Sequence, residues 1–325
     1  MSRRKRWIRA ILLFLGVILF TLFVGGELYM RLRLHMADPP VYITDPLMQY
    51  RFAPSQTCQR LASSIHINAY SMRSDDFPQH KSDPAELRVI LIGDSVINGG
   101  SRVDQEALVS SVLQNQLADV LQRKVVVGNA STGGWGPPQE LGWLQTFGTL
   151  DADIIVLVIS SHDYADVPHW PLDLDKSGFP THKPLLAWQE FLTQYVSRLW
   201  YKQPVEGYSP PTNPSQTDIN WCSWAIQQMI RIAHQGHARV IVAQYPERAE
   251  LGGNWMPGHA KNLASAKAAG ADAIVQFAPT FEIARAEGPE PYRPFDSIHP
   301  NGAGHKLMAD DLQKAIIQLI QPAQK

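Results

Sequence analysis

Cysteine is nearly absent: Cys58 and Cys222 are the only two in 325 residues. Two thiols so far apart cannot frame a small disulfide scaffold, and their spacing alone does not establish a bridge. They supply no thiolate framework for zinc either. The 11 histidines are scattered without ligand-like spacing, so no metal site and no cofactor are expected. An excess of charge of either sign is also missing, with a net charge of -1 and a pI near 6.8. Nucleic-acid binding is dominated by phosphate neutralisation, and no DNA or RNA module is recognisable, so no nucleic-acid partner is expected. Internal repeats and long low-complexity tracts are lacking as well. A chain that is 45% hydrophobic and 18% charged instead has the means to bury a large core, as one domain or as one with an accessory segment.

The most telling local absence is that of charge between Ala10 and Gly26, directly after the basic "MSRRKRWIR". Residues 8–26 approach the ~20 residues that cross about 30 Å of hydrocarbon, whereas the apolar core of a signal peptide is usually about 7–15. The reading is an uncleaved, single-pass signal anchor in the inner (cytoplasmic) membrane. Residues 1–7 form a cytoplasmic basic flank, and the bulk of the chain lies on the periplasmic or extracellular side. Cleavage after the small residues of "VGG" and a buried core helix are the alternatives.

Residues 27–86 carry turn signals such as "ADPP", "TDP" and "DFP" and read as an irregular or strand-containing lead-in. From Leu87 the pattern changes. "LRVILI", "KVVVGN", "DIIVLVIS", "RVIVAQY" and "DAIVQF" are short Val- and Ile-rich runs, as expected of parallel strands buried on both faces. Between them Leu108, Val112, Leu113, Leu117, Val120 and Leu121 fall on one helical face. "GPPQELGWLQTFGTL" opens a second helix and residues 221–234 a third. Alternating strands and helices predict an α/β fold, a three-layer α/β/α sandwich around a mostly parallel five-stranded sheet over residues 87–325. An excursion at about 165–217 interrupts it, with a helix expected over 185–200 and a linker in "YSPPTNPSQ".

The first of these strands ends in "VILIGDSVINGG". Burying an unpaired carboxylate or hydroxyl costs on the order of 1–3 kcal/mol, so the strand must reach the surface at Asp94 and Ser95. In such sheets ligands sit beyond the C-terminal strand ends. A serine hydroxyl becomes a useful nucleophile only when a base takes its proton, and the base needs an orienting acid. "FDSIHPNGAGHKLMADDL" offers both: Asp296 and His299 stand three residues apart before a Pro- and Gly-marked turn. Asp94 and Asp163 read as groups that cap or brace their turns, and Asn98 as a brace for the loop after Ser95.

"GDS" at a strand end together with "DxxHPNxxG" near the C-terminus resembles the SGNH, or GDSL, hydrolase family of serine esterases and acyltransferases, over roughly residue 87 to the end. The resemblance implies Ser95 as nucleophile, His299 as general base and Asp296 as orienting carboxylate. It further implies an oxyanion hole from the Ser95 backbone N–H and a glycine of "NASTGGWGPP", with Gly134 the better match and Gly133 the one-residue alternative. The family's Gly-x-Asn-Asp block is replaced here by "ISSHDYAD". A neutral His162 protonated on Nδ1 can present an N–H much as asparagine does, and the alternatives are a hole of two backbone donors or an inactive relative. Trp135, Trp143, Tyr164 and Trp170 are expected at or beside the rim, as packing residues or as platforms for sugar faces.

The expected function is hydrolysis of O-acetyl or other short acyl esters on a cell-surface or secreted polysaccharide. The lead-in "HINAYSMRSDDFP" loosely resembles that of membrane-anchored proteins that modify exopolysaccharide, which makes polysaccharide synthesis or export machinery the expected partner. An O-acyltransferase using the same triad, a lipase or lysophospholipase with the excursion as lid, and an inactive polysaccharide-binding subunit are the other readings.

Overall fold

In a computed structural model, which describes residues 3–61, 63–196 and 214–321, the uncharged N-terminal run lies in one helix, α1 (Arg3–Leu34). Its most apolar 18-residue window has mean hydropathy 2.5 and is not covered by the rest of the chain, which excludes the buried core helix. The helix is long and apolar enough to cross a membrane, and by length and composition it suits an anchor or a signal sequence alike.

Helix α1 continues past Gly26, and its last turns dock on the excursion. The Glu27 carboxylate accepts the N–H groups of Ala187 and Trp188 at 2.9 and 3.1 Å. The Trp188 indole donates to the Phe23 carbonyl at 2.9 Å and stacks on the Phe23 ring with centroids 5.9 Å apart. A Cβ at Gly26 would collide with that indole, so the glycine sets the approach of the two segments.

The lead-in forms two antiparallel hairpins, β1 (Tyr42–Asp45) with β2 (Gln49–Phe52) and β3 (Gln56–Arg60) with β4 (Ser63–Ile67). The main sheet begins with β5 (Leu87–Gly93), which is buried along its whole length and runs into the short α2 (Ser95–Asn98). There follow α3 (Val109–Leu121), β6 (Val125–Ser131), α4 (Pro137–Phe147) and β7 (Ile154–Ser160). The excursion holds α5 (Ala187–Glu190), which continues as a π-helical turn through Val196. The remainder of the helix expected over 185–200, and most of the proline-rich linker, fall outside the described residues. The chain then builds α6 (Gln216–Gln235), β8 (Arg239–Tyr245), α7 (Pro257–Ala268), β9 (Ala273–Gln276), α8 (Ala278–Glu287) and α9 (Gly302–Ile320).

The five strands stand in the order β6-β5-β7-β8-β9, and every pairing among them is parallel. One apolar cluster fills the face under α4, α6 and α7, with Trp143, Ile226 and Ala266. A second fills the opposite face under α3, α8 and α9, with Leu113, Phe281 and Met308. This is the three-layer α/β/α sandwich. Val120, assigned to the buried face of α3, is instead 55% exposed, because the helix ends at Leu121 with Gln122 in the left-handed region. Cys58 and Cys222 are free thiols buried in different places, one in β3 and one in α6. Burial pushes the pKa of both upward, so neither is a ready nucleophile at neutral pH.

His305 joins α9 to α3. It is fully buried, and its Nδ1 accepts the Val109 N–H at 3.2 Å, so the ring proton sits on Nε2. Burial, with Arg293 and Arg73 nearby, pushes its pKa down to about 3.

Two expectations follow from these contacts. Because His305 stays neutral when folded but takes a proton when unfolded, it lowers stability as pH falls below its unfolded pKa of about 6.5, by about 1.4 kcal/mol per pH unit, until the folded value is reached. His305→Gln should therefore lose less stability than the parent between about pH 6.5 and pH 5, read by urea unfolding at each pH. Gly26→Val should displace Trp188 and free the 185–196 segment, seen as faster limited proteolysis there at a cost of about 1–3 kcal/mol.

Candidate active site

The sheet order reverses at β5, since the chain passes from it to β6 on one side and then to β7 on the other. A crevice opens beyond the C-terminal strand ends at such a point, and Ser95 stands there. Local chemistry shapes the turn. A Cβ at Gly93 would lie 3.0 Å from the Val158 carbonyl oxygen and 3.1 Å from Ile97, so the strand needs glycine to turn this tightly. The Asp94 carboxylate accepts the Val96 N–H at 2.9 Å and caps α2, the bracing role read from the sequence. Asn98 donates to the Ser131 carbonyl at 2.9 Å, and Asn129 donates to the Ile97 carbonyl at 2.9 Å. These two bonds tie the Ser95 turn to the end of β6.

The loop after α2 is held by Arg73 of the lead-in. Its buried guanidinium donates to the carbonyls of Asn98, Gly100, Val103 and Ser64 and to the Gln105 side chain. Burial lowers its pKa to about 10, which leaves it charged at neutral pH. The sequence singled out the stretch around Arg73 but not the residue, because nothing local says where five donors would go.

The turn carrying His299 is fastened with equal care. Tyr245 donates to the Ile298 carbonyl at 2.6 Å, and the Arg248 N–H donates to the Ser297 carbonyl at 2.9 Å. Arg293 reaches the Gly99 carbonyl at 2.7 Å and so links this turn to the nucleophile loop. Asn301 caps α9 through the N–H groups of Ala303 and Gly304 at 2.8 and 3.1 Å. His299 Nε2 then lies 2.9 Å from Ser95 Oγ, and its Nδ1 lies 2.9 Å from Asp296 Oδ2. Asp296 Oδ1 accepts the backbone N–H groups of Ile298 and His299, both at 2.9 Å. Partial burial pushes the Asp296 pKa up, but those two N–H groups and the imidazole outweigh it and hold the carboxyl below its usual range. An anionic Asp296 accepting from Nδ1–H leaves the Nε2 lone pair for the serine proton.

Of the two glycines after β6, Gly134 has φ of +75° and Gly133 does not adopt a positive φ. A Cβ at Gly134 would also lie 2.7 Å from Tyr50 Oη, which donates to the Gly133 carbonyl at 2.6 Å. Only Gly134 is therefore held to glycine by its backbone. Ser131 pairs with Gly93, so the loop bearing Gly134 leaves the sheet at the same end as Ser95.

His162 corrects an expectation. Its Nδ1, assigned to an oxyanion, meets Glu247 Oε1 at 3.0 Å, and its Nε2 meets Asp94 Oδ2 at 3.1 Å. Burial alone would favour the neutral ring, but Asp163, Asp94 and Glu247 together raise its pKa well above the ordinary value. Both ring nitrogens thus face carboxyl groups rather than a substrate. Asp163 itself braces its loop, accepting the Ser160 N–H at 2.6 Å. Glu247 was missed because it lies 85 residues from its partner, with no motif around it.

Of the aromatics expected at or beside the rim, two are packing residues. Trp135 and Trp143 are buried and donate their indole N–H groups to the carbonyls of Tyr50 and Tyr70. Lys261 lies over the half-buried Tyr164 ring, which leaves Trp170 as the exposed member of the four. A cavity of about 400 Å³ runs beside the loop after Ser95, lined by Asn98, Ser101 and Arg102 from that loop, Tyr42 from the lead-in, and Gln189 and Tyr195 from the excursion.

Comparison with known proteins places these features in a family. The model of the GDSL-like Lipase/Acylhydrolase family matches residues 91–307, more than half of the chain. No curated protein gives a match. Among solved structures the chain is similar to LAE5, an alpha/beta hydrolase enzyme from the metagenome of Lake Arreo, at 15% identity and TM-score 0.44, covering 75% of this chain and all of that one. It is similar to the acetyl xylan esterase AlAXEase at 14% identity and TM-score 0.44, covering 71% of this chain and 100% of that one. It is also similar to the psychrotrophic esterase EstA from Pseudoalteromonas sp. at 15% identity and TM-score 0.41, covering 71% and 97% of the two chains. The family match extends from within the strand that delivers Ser95 into the helix that follows His299, and by it the chain belongs to the GDSL-like lipase/acylhydrolase family of serine ester hydrolases.

Proposed function

We propose that this chain removes O-acetyl or other short acyl groups from a cell-surface or secreted polysaccharide, with Ser95, His299 and Asp296 as its catalytic triad. The observation that carries the reading is the unbroken chain from Asp296 through His299 to Ser95, with 2.9 Å at each link. Ser95 Oγ attacks the ester carbonyl carbon while His299 Nε2 takes its proton, and Asp296 stabilises the imidazolium that forms. The tetrahedral oxyanion accepts from the backbone N–H groups of Ser95 and Gly134. His299 returns its proton to the departing alcohol, and water, deprotonated by the same histidine, releases the acid from the acyl-enzyme. Where a sugar hydroxyl replaces that water, the same residues perform acyl transfer.

The carbohydrate assignment is supported by the lining of the cavity beside the loop after Ser95, which brings amide, hydroxyl and guanidinium groups together with aromatic and proline rings. Such a surface suits sugar hydroxyls and ring faces. Residues 8–26 serve as the anchor, with the catalytic domain on the periplasmic or extracellular side and the polysaccharide synthesis or export machinery as neighbour. A lipase or lysophospholipase is the second reading, favoured by the exposed Leu185, Leu186 and Leu192 of the excursion.

Turnover of a short-chain aryl acetate by the full chain should fall about 10⁴-fold or more in Ser95→Ala and in His299→Ala, and about 10⁴-fold in Asp296→Asn, with the fold retained. Undiminished hydrolysis by Ser95→Ala would refute the triad. Arg73→Lys, which cannot serve the same set of carbonyls, should lower kcat about 10–100-fold by loosening the loop after the nucleophile. Acetate release from an O-acetylated polysaccharide should exceed release of long acyl chains from a phospholipid. The opposite preference would favour the second reading.

A further inference from the structure

Around Asp94, the residue before Ser95, lies a group of side chains that the proposed triad does not use. Asp94, Glu140, Asp163 and Asp166 are all buried, with His162 among them. We propose that Asp94, His162 and Asp163 form a binding site for one divalent transition-metal ion, of the zinc or manganese kind, that fastens the nucleophile turn to the loop after β7.

The geometry supports an ion in three ways. His162 Nε2 lies 3.1 Å from Asp94 Oδ2 and 3.5 Å from Asp163 Oδ1, and the three atoms all fall within 4.8 Å of one another. An ion about 2.1 Å from each ligand holds neighbouring ligand atoms about 3.0–3.4 Å apart, which the two distances from His162 Nε2 already approach. The second support is the other face of the imidazole. Nδ1 meets the Glu247 carboxylate at 3.0 Å, which is how a metal-binding histidine is commonly oriented, its distal N–H given to a carboxylate and its remaining lone pair to the ion.

The third support is the set of oxygens left without hydrogen bonds. Asp163 Oδ1 has no hydrogen-bond partner, nor does either carboxylate oxygen of Glu140, a fully buried residue on which Asp163 and Asp94 exert the strongest charge effects. The Ser160 hydroxyl is likewise unsatisfied. A buried, acceptor-rich group of this kind calls for a cation, since an orphaned carboxylate oxygen is costly. The imidazole suits zinc and the two carboxylates suit manganese, whereas calcium takes 6–8 oxygens.

Neither Ser95 nor His299 is among the ion's ligands, so its role is positioning: it holds Asp94, the residue before Ser95. Its alternative is a proton on His162 Nε2 bonded to Asp94. The ligands come from two loops 68 positions apart in the chain, which is why no local spacing discloses them.

The test uses the full chain in detergent micelles, without a histidine tag, stripped with chelator and then exposed to zinc chloride or manganese chloride. The expected result is about one equivalent of ion retained per chain after gel filtration and a rise in Tm of about 5 °C over the stripped protein. Asp163→Asn, nearly the same size, should lose both. Glu247→Gln leaves every ligand in place and should weaken binding about 10–100-fold, which keeps the test decisive if Asp163→Asn fails to fold. The proposal is overturned if the parent retains no ion and its Tm ignores chelator. Equal retention by Asp163→Asn, marking an adventitious ion elsewhere, or unchanged affinity in Glu247→Gln would also overturn it. None of these readouts depends on ester hydrolysis, so the site stands or fails separately from the triad.

Discussion

A strand buried on both faces can carry apolar side chains for its whole length, but it cannot carry a carboxylate and a hydroxyl into the same dry space. That constraint ends β5 at Gly93: Ser95 stands partly exposed where the sheet order reverses, while Asp94, expected at the surface, stays buried and is satisfied by the Val96 N–H and the His162 ring. The rest of the site is arranged around this exit. Asn98 and Asn129 tie the turn to β6, Arg73 gathers the carbonyls of the loop beyond it, and Arg293 binds that loop to the turn bearing His299. Buried amide and guanidinium donors here find backbone acceptors, so the site gains rigidity from the same bonds that satisfy its polar groups.

On the far side of the same exit the accounting is less complete. Several carboxyls are enclosed with one imidazole, and the field of each is felt by the others in a medium that screens poorly. Ion pairs of this kind do little for stability by themselves, since desolvation offsets most of the attraction. Their effect is geometric: Asp94 is held between the Val96 N–H and the His162 ring, and the residue after it is Ser95. A histidine where the family resemblance places asparagine thus changes which polar group braces the turn, while the serine, its histidine and the intervening geometry are kept.

The apolar N-terminal helix is joined to the candidate site through the excursion. Glu27 and Phe23 of α1 hold Trp188, and the segment that follows Trp188 lines the cavity beside the nucleophile loop. The apolar helix is consequently part of the folded unit's contacts from Phe23 onward. Gly26, which read as a small residue suited to processing, has a packing reason for its size.

Composition and periodicity determined the sheet, its alternation with helices and the uncharged N-terminal run, and the motifs "GDS" and "DxxHPNxxG", through the family they resemble, named the three residues of the candidate triad. Each rests on a local signal: apolar runs of strand length, a helical repeat of buried positions, or a polar motif at a strand end. Tertiary structure alone decided what depends on meetings across long separations. It turned both ring nitrogens of His162 to carboxylates, drew Glu247 to it, sent Arg73 into the nucleophile loop, buried Trp135 and Trp143, and kept Cys58 apart from Cys222. Side-chain type states which bonds a residue is able to make. Only the packed chain determines which partner lies within reach, because the energy of burying a polar group depends on neighbours that the residue's own stretch of sequence does not contain.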